Sequence, residues 1–354
     1  MRSLRTNKTL RTNVITYAVV VAAFVLFQCL GSAGVLSSTM KGQLVPICAY
    51  VLMALSLNLT VGILGELSLG HAGFMSVGAF AGAVTASAMQ DSVPSSALRL
   101  TVAVLVGAVL AAIVGVLIGI PVLRLNGDYL AIVTLAFGEI IKSIVNNLYI
   151  GMDDRGLHFS LMNNTISLGE GGRMILSGPM GIPGIQKIST FLAGFILIMI
   201  ALFVIFNLVN SRSGRAIMAL RDNRIAAESV GINVTKYKLM AFVISAAIAG
   251  AGGALYGQAQ NAIIATKFDF NTSILILVFV VLGGMGNMLG SILAAALLTV
   301  LPELLRSLND YRMLIYAIVL ILMMLFNSAP AMIQWREQMT EKLRKTFGEE
   351  RKEG

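Results

Sequence analysis

Ten stretches of this chain are each close to the length of a bilayer crossing and nearly free of charge: residues 14–36, 43–64, 67–89, 100–123, 129–150, 190–210, 238–262, 272–285, 287–306 and 311–328. A crossing helix needs about 20 predominantly apolar residues. Inside lipid, each backbone N–H and C=O must find its partner within the protein, a condition that an α-helix meets by itself. With 57% hydrophobic residues against 12% charged, the chain also has too few polar side chains to cover a soluble surface. The expected fold class is therefore all-α, a polytopic membrane protein of about ten transmembrane helices and at least eight. Of these, 272–285 is short enough to be re-entrant.

A net charge of +9 would suggest nucleic acid as the partner of a soluble protein, but here Lys and Arg gather beside the ends of apolar runs. With the basic tail 1–13 (Arg2, Arg5, Lys8, Arg11) inside, seventeen Lys and Arg residues fall on the cytoplasmic side and eight outside. That bias places both termini in the cytoplasm and makes nucleic acid an unexpected partner. The organisation expected is a tail at 1–13, a transmembrane domain at 14–330 and a cytoplasmic tail at 331–354. Within the membrane domain, 151–189 is expected as an irregular exterior loop and 211–237 as a cytoplasmic segment. The apolar core from Val14 to Leu30 exceeds the h-region of a usual signal peptide, so the first helix is expected to be retained. Cys29 and Cys48 sit in apolar runs without metal-ligand spacing and read as small buried hydrophobes.

The chain has no Gly-x-x-x-x-Gly-Lys-Ser/Thr motif, and His71 and His158 are its only histidines, so neither an ATPase site nor a metal site is expected. Glycine placement is more informative. Gly62, Gly65, Gly70, Gly73, Gly78 and Gly82 fall within 21 residues. Glycine weakens a helix, and freed backbone groups at membrane depth are tolerated only where buried or lining an aqueous cavity. A broken helix follows, with Asn58, Gly65, Glu66, Ser68, Gly70 and His71 as candidates for a substrate pathway. Close helix packing through Gly78-x-x-x-Gly82 remains open as the alternative. Gly253-x-x-x-Gly257 and Gly286-x-x-x-Gly290 also read as helix contacts, and five spans on each side of the exterior loop suggest inverted repeats. Glu139 and Lys142, at i and i+3 within one span, can pair, or Glu139 can face a polar pathway. Asn58 suits an interhelical hydrogen bond as well as a ligand.

The cytoplasmic segment reads as two short helices. The first is expected at 216–221; Asp222 would cap the second and Gly231 would end it in the left-handed conformation. Such helices are too short to persist alone, so they need a docking surface, either a partner protein or anionic lipid.

Three ordered motifs then resemble a known family. They are Leu55–Leu59 running on to Ser68–Phe74, Gly127-Asp-Tyr-Leu-Ala-Ile-Val-Thr-Leu-Ala-Phe-Gly-Glu139, and Arg221-Asp-Asn through Ala226-Ala-Glu-Ser-Val-Gly231. Together they look like the LivM-type permeases of ABC importers for branched-chain amino acids. That resemblance implies a coupling helix carrying Ala226, Ala227, Glu228 and Gly231, with Arg215, Arg221 and Asp222 beside it, that docks into an ATPase subunit. It further implies a LivH-type sister permease, two ATPase subunits that bind the ATP, a soluble solute-binding protein, and a place in the bacterial inner membrane. This chain would then hold no cofactor and catalyse no bond chemistry. Leucine, isoleucine and valine are the implied substrates, with urea or short amides as the alternative among close relatives. Only Ser177–Pro183 corresponds, loosely, to the Gly-Gly-rich exterior segment of the family. Outside this family, a gradient-driven transporter using Glu139, or a membrane scaffold, would also suit the composition.

Overall fold

The computed structural model describes residues 2–34, 37–90, 92–125, 127–153, 156–162, 166 and 172–305, with isolated helical positions at 314, 315, 317, 318 and 321; residues 2–12 are described as backbone only. The expected tail 331–354 and most of the expected span 311–328 lie outside the described residues. The chain divides after Leu297 into two units, the second holding the end of the last long helix and those isolated positions.

Eleven α-helices follow one another among the described residues: α1 (Arg2–Ser32), α2 (Ser38–Asn58), α3 (His71–Ala88), α4 (Ser96–Val122), α5 (Asp128–Asn146), α6 (Phe191–Asn210), α7 (Arg212–Asp222), α8 (Arg224–Ser229), α9 (Val234–Gly257), α10 (Phe270–Gly283) and α11 (Met288–Leu304). Among the described residues, six segments are long and apolar enough to cross a membrane: Asn13–Ser32, Ser38–Leu64, Ser96–Val122, Phe191–Asn210, Val234–Gly257 and Ala265–Gly283. The chain is thus mostly helical and multi-pass, with the expected 272–285 span lengthened at its N-terminal side.

Two expectations are corrected. The segment 151–189 is not an irregular loop, because it carries a three-stranded antiparallel sheet of order β2-β1-β3, made of β1 (Leu148–Asp153), β2 (Gly156–Leu161) and β3 (Arg173–Ser177). The period-2 alternation Leu157, Phe159, Leu161 against His158 and Ser160 is a strand pattern, and it outweighs the turn-rich composition. The fold is therefore not purely α, and the expected span 129–150 ends at Asn146, where β1 takes over. The second correction is Cys29, which lies exposed on α1 whereas Cys48 is buried.

Helices α3, α4 and α9 form the packed centre of the first unit through small residues. A Cβ at Gly78 of α3 would overlap the Gly250 carbonyl of α9, and one at Gly253 of α9 would overlap the Met75 carbonyl of α3. Backbones that close have room for hydrogen only. Gly82 faces Ala254 and Gly257 faces Ala79 along the same seam. Gln258 then ties the end of α9 to α3 by donating to the Gly82 carbonyl at 3.0 Å.

Candidate functional site

The chain breaks at the end of α2. Its last turn widens into a π-helix, Leu59–Leu64, which stops at Gly65 in the left-handed conformation (φ 81°); residues 66–70 are irregular, and α3 begins at His71. The glycine-rich stretch therefore serves two ends: its first part makes the break, and its second part, from Gly73 to Gly82, makes the packing seam.

Small polar side chains from five other helical segments converge on this break. Thr134 Oγ1 of α5 accepts from the Leu69 N–H at 3.0 Å, and Ser273 Oγ of α10 accepts from the Ala72 N–H at 3.1 Å. Ser56 of α2 and Ser245 of α9 place their hydroxyls 2.9 and 3.2 Å from His71 Nε2, and Thr60 donates to Ser245 Oγ at 2.8 Å. Asn58 donates to Ser291 Oγ of α11 at 2.9 Å and accepts from the Gly286 N–H at 2.8 Å. Each of Ser56, Asn58, Thr60, His71 and Ser245 is fully buried. Ser68 Oγ and His71 Nδ1 are buried with no hydrogen-bond partner among the described residues.

Of the pathway candidates, Gly65 and Glu66 line a cavity of about 250 Å³ together with Leu67, Asp128, Arg221, Arg224 and Lys238. Ser68, Gly70, His71 and Asn58 are shut inside the protein, with Gly70 packed so closely on α5 that a Cβ would overlap the Thr134 carbonyl. Asn58 makes the interhelical bonds just described. Glu139 stands apart on α5, paired with Lys142 one turn on. Glu66 pairs with Lys238, which is only 3% exposed at the start of α9.

The segment 211–237 packs beside the break. Helix α7 is longer than the expected 216–221, because Ser211 Oγ caps it by accepting from the Gly214 N–H at 3.1 Å. Asp222 is not the cap of α8. It is the last residue of α7 and binds Arg221, whereas Asn223, in extended backbone, accepts from the Ala226 N–H at 3.0 Å. Gly231 (φ 85°) ends α8 with the bonds Gly231 N–H to Glu228 and Ile232 N–H to Ala227, which satisfies the last carbonyls. Ala227 is buried and Ala226 exposed, Glu228 pairs with Arg224 at 3.2 Å, and Arg215 donates to the Asn210 carbonyl at 3.3 Å. Ile225 on this short helix and Val230 at its C-cap are 80% and 75% exposed. Arg221 reaches out of the segment and donates from Nη1 to the Gly62 carbonyl at 2.9 Å.

Gly286 (φ 82°) lies against Gly62, and Gly290 against the Gly283 carbonyl, so this pair closes a turn instead of forming a helix seam. Sequence reasoning missed the partners of the break. Lys238 counted there only as an orientation signal, although Lys238 and Ser245 recur seven residues apart on one face of an apolar helix. It also missed the α4 stripe Gly107, Ala111, Gly115, Gly119, a four-residue repeat of small side chains that lies against α3 and α9.

The chain is 37% identical over 312 residues to the high-affinity branched-chain amino acid transport system permease protein LivM of Salmonella typhimurium, covering 85% of this chain and 72% of that protein. The LivM protein of Escherichia coli matches to the same extent. A nucleoside ABC transporter permease protein, NupC of Lactococcus lactis, is 27% identical over 201 residues, 55% of this chain and 59% of that protein. No solved structure matches. The family described as branched-chain amino acid transport system / permease component matches residues 40–325, and the chain belongs to that family.

Proposed function

We propose that the chain is one transmembrane subunit of an ATP-driven importer that carries leucine, isoleucine or valine into the cell. It would work with a LivH-type sister permease, two ATPase subunits and a soluble solute-binding protein. It would lie in the inner membrane of a bacterium with both termini in the cytoplasm, crossing the bilayer up to ten times in two halves of inverted topology. The likeness to LivM proteins over most of the chain supports the substrate class. The observation that carries the mechanism is the pair α7 and α8. Helix α8 has six residues, and the large apolar side chains of Ile225 within it and Val230 at its C-cap are left in the open, which favours a protein surface that covers them.

In this reading Ala226, Glu228 and Gly231 belong to the surface that meets the ATPase, with Arg215, Arg221 and Asp222 supporting it. The break at 59–71 is the part of the permease that opens. Ser68 Oγ and His71 Nδ1 are polar atoms buried without partners among the described residues, an arrangement that costs about 1–3 kcal/mol for each such atom. Such atoms are retained where another state supplies a partner, here the water or substrate of an open pathway. Glu139 is proposed to line that pathway only secondarily, since Lys142 neutralises it.

The experiment is uptake by cells carrying Glu228→Arg or Gly231→Leu. The expected result is loss of branched-chain amino acid uptake with membrane insertion and assembly with the sister subunit unchanged. Normal uptake in both variants would refute the docking assignment. Uptake competed by nucleosides and not by leucine would instead refute the substrate class.

A further inference from the structure

Arg221 joins two parts of the molecule that the function requires to move together. A helix that ends leaves its last carbonyls without N–H partners from the next turn. The Gly62 carbonyl lies in the final π-turn before the break, and it receives the Arg221 Nη1 proton at 2.9 Å across 159 residues of sequence. At Gly65, the left-handed residue where the helix stops, a Cβ would run into the Arg221 Cγ, so the arginine stem occupies the place a side chain would take. Asp222 holds the guanidinium from the other side, at 3.2 and 3.3 Å. Lys238, beyond α8, pairs with Glu66 one residue after Gly65. Arg221 at the end of α7 and Lys238 on α9, which flank α8 in sequence, thus both hold residues 62–66. Arg221 is 40% exposed and borders the 250 Å³ cavity, which leaves the guanidinium room to shift without unpacking the core.

We propose that Arg221 is the positioning residue that transmits the movement of α7 and α8 to the break at 59–71, through its hydrogen bond to the Gly62 carbonyl and its contact with Gly65. This rests on the importer reading above and names the link within it. Because the bond is made to backbone, it depends on the donor geometry of residue 221 and not on the chemistry of any side chain in the break.

The test uses the complete assembly of sister permease, ATPases and binding protein in proteoliposomes, with ATP hydrolysis and leucine uptake measured on the same sample. The expected result for Arg221→Ala is uptake per ATP hydrolysed lowered about tenfold or more, the loss set by one charge-assisted hydrogen bond. Arg221→Lys, which keeps the charge and one donor, should recover part of the uptake. Gly65→Ala, which strains the same contact from the opposite side, should uncouple in the same way and serves if Arg221→Ala fails to assemble. Uptake and hydrolysis falling in parallel would overturn the proposal, since Arg221 would then only support docking. Uptake per ATP unchanged in Arg221→Ala and Gly65→Ala would overturn it as well. Absence of ATP-driven uptake in the wild-type assembly would be a different failure, that of the importer reading itself.

Discussion

Replacing Glu66 by Gln should destabilise the protein far more than a surface change, because it strands the Lys238 ammonium, which is only 3% exposed. Removing one member of a buried ion pair typically costs about 3–5 kcal/mol, since the remaining charge keeps its desolvation penalty and loses its counter-charge. The Lys238 side chain qualifies for the buried value, and the Glu66 side chain, at 13% exposure, lies close to it. Lys238→Met should cost a similar amount by stranding the carboxylate. The double variant removes both charges, so neither is left buried without its counter-charge, and it should be less destabilised than the two single losses added. Unfolding of purified protein in mixed micelles, titrated with denaturing detergent, gives the four stabilities of the cycle. A coupling free energy near zero, with the double variant as unstable as the two single losses added, would show that the two residues do not depend on each other and would refute the reasoning.

Gly78→Leu drives a side chain into the Gly250 carbonyl and should cost at least about 1–3 kcal/mol in the same unfolding assay. Gly42→Ala, in α2 with no neighbour within 4 Å, should be neutral or slightly stabilising; equal effects of the two would refute the packing seam. With Cys29 and Cys48 replaced, Ser68→Cys should be unreactive toward water-soluble thiol reagents at rest, because residue 68 is only 1% exposed. It should label when ATP turnover opens the break, and identical labelling in every state would remove the break from the pathway.

The helical segments were legible because a membrane helix needs a long apolar run and little else, as the charge-free Phe191–Asn210 illustrates. The sheet was not, because only Asn146 and Asn147 stand between the apolar residues of α5 and those of β1, too short a polar step to separate a strand from a membrane helix by length alone. The glycine cluster announced a break, but not that Gly65 would make it while Gly78 made a helix contact. Both use the missing Cβ, one for backbone angle and the other for proximity, and only the neighbours tell them apart. Asp222 and Asn223 are both good caps in sequence, and the choice fell to Asn223 because Asp222 stays helical and takes Arg221. The partners of the break were hidden for a plainer reason. Thr134, Ser245, Ser273 and Ser291 each look like a tolerated hydroxyl in an apolar helix until five segments bring them together.

The central claim is that ATP bound by partner subunits, and not an ion gradient, drives the opening of the 59–71 break. Leucine uptake into proteoliposomes holding the full assembly, measured with the proton gradient collapsed, tests it most directly. The account predicts uptake that requires both ATP and the binding protein and persists without the gradient. Uptake that proceeds without ATP and stops when the gradient is collapsed would contradict it.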